Sequence, residues 1–186
     1  MPSDVVALVP VGDALTRLAA ESLIREYLQF IASTALQNYQ LMFDIEAMVY
    51  SDIHDEAKFY SPAGRFYLVR HSDQHIGVGC LKRLTPTVAE IQRMYVQPSA
   101  RGLGAGRLLV EQLLADARDM QFQSVRLESL RALTAAHMLY RSVGFQEIEP
   151  YTENSMKDYQ SPEAMEAYQS SALFMELRFD PLLRSQ

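Results

Sequence analysis

The chain is short of cysteine, of positive charge and of long apolar runs, and each shortage closes off a class of protein. Cys80 is the single cysteine, so an internal disulfide framework is excluded. It lies in the apolar run 76–81, where a small core residue is the simpler reading; a thiol nucleophile would need a nearby base that the sequence does not show. Lysine and arginine number 17 against 23 aspartates and glutamates, a net charge of −6. That sign argues against a general nucleic-acid binder, which needs a basic surface to displace phosphate counterions. It is compatible with an amine-bearing substrate, although acidity more often serves solubility. No window approaches the roughly 20 apolar residues of a bilayer span, and no basic stretch followed by an apolar core marks a secretory leader. The expectation is a cytoplasmic protein with no membrane partner. His54, His71, His75 and His137 are scattered and nothing pairs them with metal ligands, so no metal site is expected.

What is present reads as one α/β domain over residues 1–186. Residues 5–9 form a β-branched apolar run ending at Pro10, and Asp13 is placed to cap a helix over about 14–36. Leu15, Leu18, Ala19, Leu23, Tyr27 and Ile31 recur at helical spacing along it. A weaker helical pattern lies within 39–60. Three strand-like runs follow, 66–70, 76–84 and 88–96, joined by turns short enough for antiparallel hairpins. After Pro98 comes a glycine cluster and then a strong helix with Leu109, Leu113, Ala117 and Met120 in one stripe. A strand over 124–127, a helix over 134–142 with Ala135, Met138 and Leu139 apolar, and strands over 145–148 and 172–179 complete the order. The polar stretch 149–171 is long for a plain connection and reads as a functional loop, with a short helix after Pro162. The alternation predicts a single mixed, mostly antiparallel sheet flanked by helices.

Arg101, Gly102, Leu103, Gly104, Ala105 and Gly106 sit between a strand and a helix. An anion there would meet unpaired backbone N–H groups and the positive end of the helix dipole, with Arg101 adding a fixed charge. The spacing is neither the dinucleotide fingerprint, which is G-x-G-x-x-G, nor a Walker loop, which needs a Gly-Lys-Ser/Thr step.

Arg101, Gly104 and Gly106 match the fixed positions of the motif Arg/Gln-x-x-Gly-x-Gly/Ala. Ala136, Tyr140, Gly144 and Phe145 match a second element downstream, Ala-x-x-x-Tyr-x-x-x-Gly-Phe. On these two motifs the chain resembles the GCN5-related N-acetyltransferase superfamily, best over residues 65–149. The resemblance implies the acyl-CoA N-acyltransferase fold, with acetyl-CoA as cosubstrate and an amine of a small molecule or peptide as acceptor. It implies that the backbone of Met94, Tyr95 and Val96 holds the pantetheine arm where two strands splay. The N–H groups of residues 103–108 would hold the pyrophosphate, among them Leu103, Gly104, Ala105, Gly106 and Arg107, with Arg101 and Gly102 beside them. Tyr140 matches the general acid, and a phenol with an ordinary pKa near 10 keeps its proton at neutral pH. Glu90, in an Ala-Glu-Ile context like that of the histone-acetylating branch, is the candidate base for the attacking amine. Arg93 stands one residue outside the pantetheine segment as a substrate or structural residue.

Leu133 stands where many members carry asparagine, which removes one polar contact to the cosubstrate that Thr134 or Ser129 could replace. Tyr151, Glu153, Tyr159 and Tyr168 in the variable loop 150–171 are placed to border the acceptor. A homodimer is compatible with this reading. A non-catalytic acyl-CoA-binding sensor stays open beside it, since a sensor would keep the glycine turn and need neither Glu90 nor Tyr140.

Overall fold

The computed structural model describes residues 5–151, 153, 156 and 161–180. In order it comprises β1 (Val6–Pro10), α1 (Ala14–Tyr39), α2 (Ile45–His54), β2 (Arg65–His71), β3 (Gln74–Arg83) and β4 (Val88–Val96). A 3₁₀ turn at Pro98–Ala100 leads to α3 (Ala105–Asp119), β5 (Ser124–Leu130), α4 (Thr134–Ser142), β6 (Gln146–Ile148), α5 (Pro162–Ser171) and β7 (Ala172–Arg178). Among the described residues no helix is long and apolar enough to cross a membrane.

Asp13 starts α1 through a reciprocal capping box. Its carboxylate accepts from Thr16 N–H at 2.8 Å while Thr16 Oγ1 accepts from Asp13 N–H at 3.2 Å. The helix runs past residue 36 to Tyr39 and ends where Gln40 turns left-handed, at φ 58°. Its buried stripe is Ala20, Leu23, Ile24, Leu28 and Ala35, one position later than the spacing of the large apolar residues suggests. Leu15 and Leu18 are 80% and 67% exposed: the two alanines let the helix body approach the sheet, and the first turn stands clear of it. In α4 the expected apolar face is likewise turned outward. Met138 and Ala135 face solvent, while His137 and Tyr140 take the inward side.

The seven strands form one sheet in the order β1-β2-β3-β4-β5-β7-β6. Every pairing is antiparallel except β4 with β5, so the sheet is mixed and mostly antiparallel, as the run of short turns implies. The helices divide between its faces. α1 and α2 cover Leu68, Val78, Cys80 and Phe174 on one side. α3 covers Leu81, Ala89, Ile91, Val125 and Met175 on the other. Cys80 is fully buried in the first layer. The second layer comes very close to the backbone: a Cβ on Gly79 would stand 2.7 Å from Leu109 Cδ2, so only glycine lets α3 settle on β3 there.

Two features open the middle of the sheet. β4 pairs with β5 only through Val88, Ala89 and Glu90 against Ser124, Val125 and Arg126. Residues 91–96 and 127–130 then run on without pairing to each other. Between Val78 and Cys80 of β3, which pair with Tyr95 and Gln92, β4 holds Arg93 and Met94 against the single residue Gly79. This is a β-bulge, and Arg93 sits in it at φ 55°. Such an extra residue bends the strand and increases its twist, and here it falls where β4 leaves its parallel neighbour.

Candidate active site

The glycine turn lies at the mouth of this opening. Gly102 and Gly104 have φ of 89° and 78°, and a Cβ on either would meet no atom within 4 Å. Open space in a conformation reserved for glycine marks a surface that a ligand can approach at backbone distance. Gly104 is the N-cap of α3 and offers no side-chain cap. The first helical bond is Leu108 N–H to Gly104 O, 3.0 Å, so the amides of residues 105–107 have no intrahelical acceptor. Leu108, at the end of the expected 103–108 cradle, is thus committed to the helix. Arg101, Gly102, Leu103 and Gly104 are exposed. Arg107 ties α3 to α4, donating from Nη2 to Ser142 Oγ at 2.7 Å. This geometry fits a diphosphate held by main chain and helix dipole.

Met94, Tyr95 and Val96 follow the bulge. The Tyr95 hydroxyl donates to Glu26 Oε1 at 2.7 Å; burial and that carboxylate push its pKa up to about 12. The side chain is therefore engaged by α1, and the strand's backbone edge is what faces the gap left by β5.

On the α1–α2 side of the opening lies a buried acid cluster. Glu90 and Glu128 project to the same face, since their neighbours Ala89, Ile91 and Leu127 belong to the opposite core layer. Glu90 is fully buried. It accepts from Gln92 Nε2 at 2.7 Å and from the Tyr151 hydroxyl at 2.8 Å, with Lys82 Nζ 3.4 Å away. Burial, and then the neighbouring Glu90, push Glu128 up to about 8. Its Oε2 is sealed from solvent and has no hydrogen-bond partner among the described residues. Burial and the two glutamates also raise the phenols of Tyr151 and Tyr168, which stay protonated. Arg93 is not exposed as a substrate hook. Its Nε donates to Asp52 Oδ2, and its Nη2 to Oδ1 at 3.3 Å. Asp52 also pairs with Lys58, which fastens α2 to the bulge.

A cavity runs beside this cluster, lined by Tyr27, Phe43, Met48, Arg93, Glu128 and Tyr168 among others. From the opposite core layer, α4 presents Tyr140, whose ring packs edge-on against Phe145 with centroids 6.0 Å apart. Burial raises the Tyr140 pKa and the Tyr27 phenol raises it further.

The residues singled out in the sequence are divided between the two faces of the sheet. Glu90 projects to the face under α1 and α2, and Tyr140 packs in the core layer of the opposite face. Tyr151 and Tyr168 pack on the α1–α2 side, Glu153 is exposed, and Tyr159 lies outside the described residues. Ser129 Oγ stands 3.2 Å from His137 Nε2, so it is engaged and not at hand to replace the missing asparagine. Burial lowers the His137 pKa, followed by the charge of Arg141. Among the described residues no group of three or more His, Cys, Asp or Glu could hold a metal ion. Sequence reasoning missed Glu128, Asp52 and Tyr27. Glu128 falls just beyond the four-residue strand expected at 124–127, and the sole available signal was the continued alternation of polar and apolar residues to Leu130.

A mixed sheet that parts between two parallel strands, with a glycine turn and an uncapped helix at its mouth, defines an acyl-CoA-dependent transferase architecture. Comparison with known proteins agrees. Residues 29–145 match the model of the acetyltransferase (GNAT) family. An N-acetyltransferase of Schizosaccharomyces pombe is 31% identical over 136 residues, covering 71% of this chain and 77% of that protein. A GNAT-family acetyltransferase from Staphylococcus aureus superposes with a TM-score of 0.68 at 15% identity, over 95% of this chain and 100% of that one. The PaiA N-acetyltransferase of Thermoplasma acidophilum, crystallised with coenzyme A, superposes with a TM-score of 0.65 at 13% identity, over 94% and 99%. The chain belongs to the GNAT acetyltransferase family, whose members use acetyl-CoA as cosubstrate.

Proposed function

We propose that the protein transfers the acetyl group of acetyl-CoA directly to a primary amine of a small molecule or peptide, with both substrates bound at once. One observation carries the reading: β4 and β5 part beside a cavity lined by Glu128 on one face of the sheet, and the buried phenol of Tyr140 packs in the core layer of the other. Acetyl-CoA supplies the thioester. The residues that fit it are Arg101, Gly102, Leu103, Gly104, Ala105, Gly106 and Arg107 for the diphosphate, and the backbone of Met94, Tyr95 and Val96 for the arm.

Glu128 is the group that meets the amine. Both oxygens of Glu90 are engaged by Gln92 and Tyr151, with Lys82 nearby, whereas Glu128 lines the cavity with Oε2 unpartnered. Glu90 then acts behind it, holding its pKa near the working pH, where a base is most effective. The bound ammonium first loses one proton through Glu128 to water, which leaves a free amine; as the new C–N bond then forms and the C–S bond breaks, Glu128 takes the second amine proton and Tyr140 gives its proton to the departing sulfur. The raised pKa of Tyr140 keeps that proton in place until it is needed. A sensor would gain nothing from a buried carboxyl oxygen left without a hydrogen-bond partner, which costs about 1–3 kcal/mol. The test is thiol release from acetyl-CoA with a panel of amines. Tyr140→Phe should lower turnover about 10²–10⁴-fold while coenzyme A affinity by calorimetry stays unchanged. A variant as active as the parent removes Tyr140 as the acid, and coenzyme A binding without thiol release for any amine returns the sensor reading.

A further inference from the structure

We infer that the acceptor is a primary amine borne on an apolar body, with no carboxylate beside the amine. This rests on the acetyl-transfer reading above. The cavity is walled by Tyr27, Phe43, Met48, Leu130 and Tyr168. These surfaces shelter hydrocarbon and give an ammonium group ring faces to lie against. Its volume is about 50 Å³, and one water needs about 10–15 Å³ of such space, so the amine and the carbons next to it fit.

Charge decides what those next atoms are. Glu128 lines the cavity and one of its oxygens has no donor among the described residues; an ammonium brings three N–H donors and, to the ionised carboxylate, the opposite charge. A carboxylate finds no such welcome. Arg93 is the one lysine or arginine among the cavity's lining residues, and its guanidinium is engaged by Asp52 through two nitrogens. Lys82 is held beside Glu90. With Glu128 ionised, an acid next to the amine would therefore be set down beside it with no free cation among the described residues to receive it, and like charges in a desolvated site repel strongly. The preference arises by exclusion as much as by attraction.

Phenethylamine, phenylalaninamide and phenylalanine share one apolar body and differ in the group beside the amine. At about pH 9, where Glu128 is ionised, and with acetyl-CoA at saturation, kcat/KM from thiol release should be about 100-fold higher for the first two than for phenylalanine. Glu128→Gln removes the like charge and should narrow the amide-to-acid ratio about tenfold. Phenylalanine used as well as its amide overturns the inference, and so does a ratio that Glu128→Gln leaves unmoved. Protein that binds acetyl-CoA in calorimetry yet turns over none of the three also overturns it, with the acetyl-CoA site left standing. Protein that does not bind acetyl-CoA at all sinks the acetyl-transfer reading itself, and the inference with it.

Discussion

The two sides of the strand opening are built by opposite means. The glycine turn at the head of α3 works by omission: Gly104 caps the helix without a side chain, and the amides behind it are left to whatever anion arrives. The cavity under α1 and α2 works by concentration. Glu90, Glu128, Asp52, Arg93, Lys58 and Lys82 are brought from five separate stretches of chain into buried contacts, and Glu128 and Arg93 among them line the cavity. A main-chain cradle tolerates change in everything except backbone conformation. A buried ionic cluster tolerates almost none, because removing one partner strands another. The difference teaches where function is robust and where it is tuned.

Substitutions can break or sharpen this contrast. Asp52→Ala should do the greatest damage, stranding Arg93 in the interior at a cost of about 3–5 kcal/mol; denaturant unfolding measures it, and a loss under about 1 kcal/mol would mean that solvent reaches the pair. Glu128→Gln should lower kcat/KM about 10²–10⁴-fold while acetyl-CoA affinity by calorimetry holds, so that one side fails and the other does not. The parent's kcat/KM should rise with pH to a limb near 8, because Glu128 must lose its proton to act as a base, and the glutamine variant should lack that limb.

The same group sets a pH dependence of stability. Its folded pKa lies above the ordinary value of 4.5, so the native state holds a proton that the unfolded chain has released. Native stability should therefore fall as pH rises from about 4.5 to 8. Glu128→Gln should flatten that decline in thermal melts.

Gly104→Val should weaken acetyl-CoA binding about tenfold, since a branched side chain at φ 78° costs about 1–2 kcal/mol and covers the amides. The ratio among amines should not move. Leu15→Ser should change stability by no more than about 0.5 kcal/mol, against about 2–5 kcal/mol for Leu28→Ala, which checks the buried stripe of α1.

This contrast also explains what could be read in advance. Arg101, Gly104 and Gly106 form a local pattern, and local patterns survive in a linear text because the residues that act together are neighbours. The same holds for the hairpins of β2, β3 and β4 and for the Asp13 cap. The acid cavity is assembled by tertiary contact. Arg93 and Asp52 lie 41 residues apart, and Tyr151 and Glu90 lie 61 apart; no spacing rule connects them. Glu90 stood out from its context in one strand, but its partner Glu128 looked like the polar side of a half-buried strand. Helix faces failed for a related reason. Leu15, Leu18 and Met138 have helical spacing, but which stripe is covered depends on how small Ala20 and Ala35 let α1 lie on the sheet.

Cys80 has a chemical consequence at a distance from its place in the core. Every catalytic cycle sheds a free thiol, and under oxidising conditions such a thiol exchanges into mixed disulfides with any exposed protein sulfhydryl. The chain's one sulfhydryl has no exposed surface and burial raises its pKa far above the ordinary thiol value. The folded enzyme therefore presents no thiolate to its own product, and accumulated coenzyme A disulfide should neither cap it nor cross-link it.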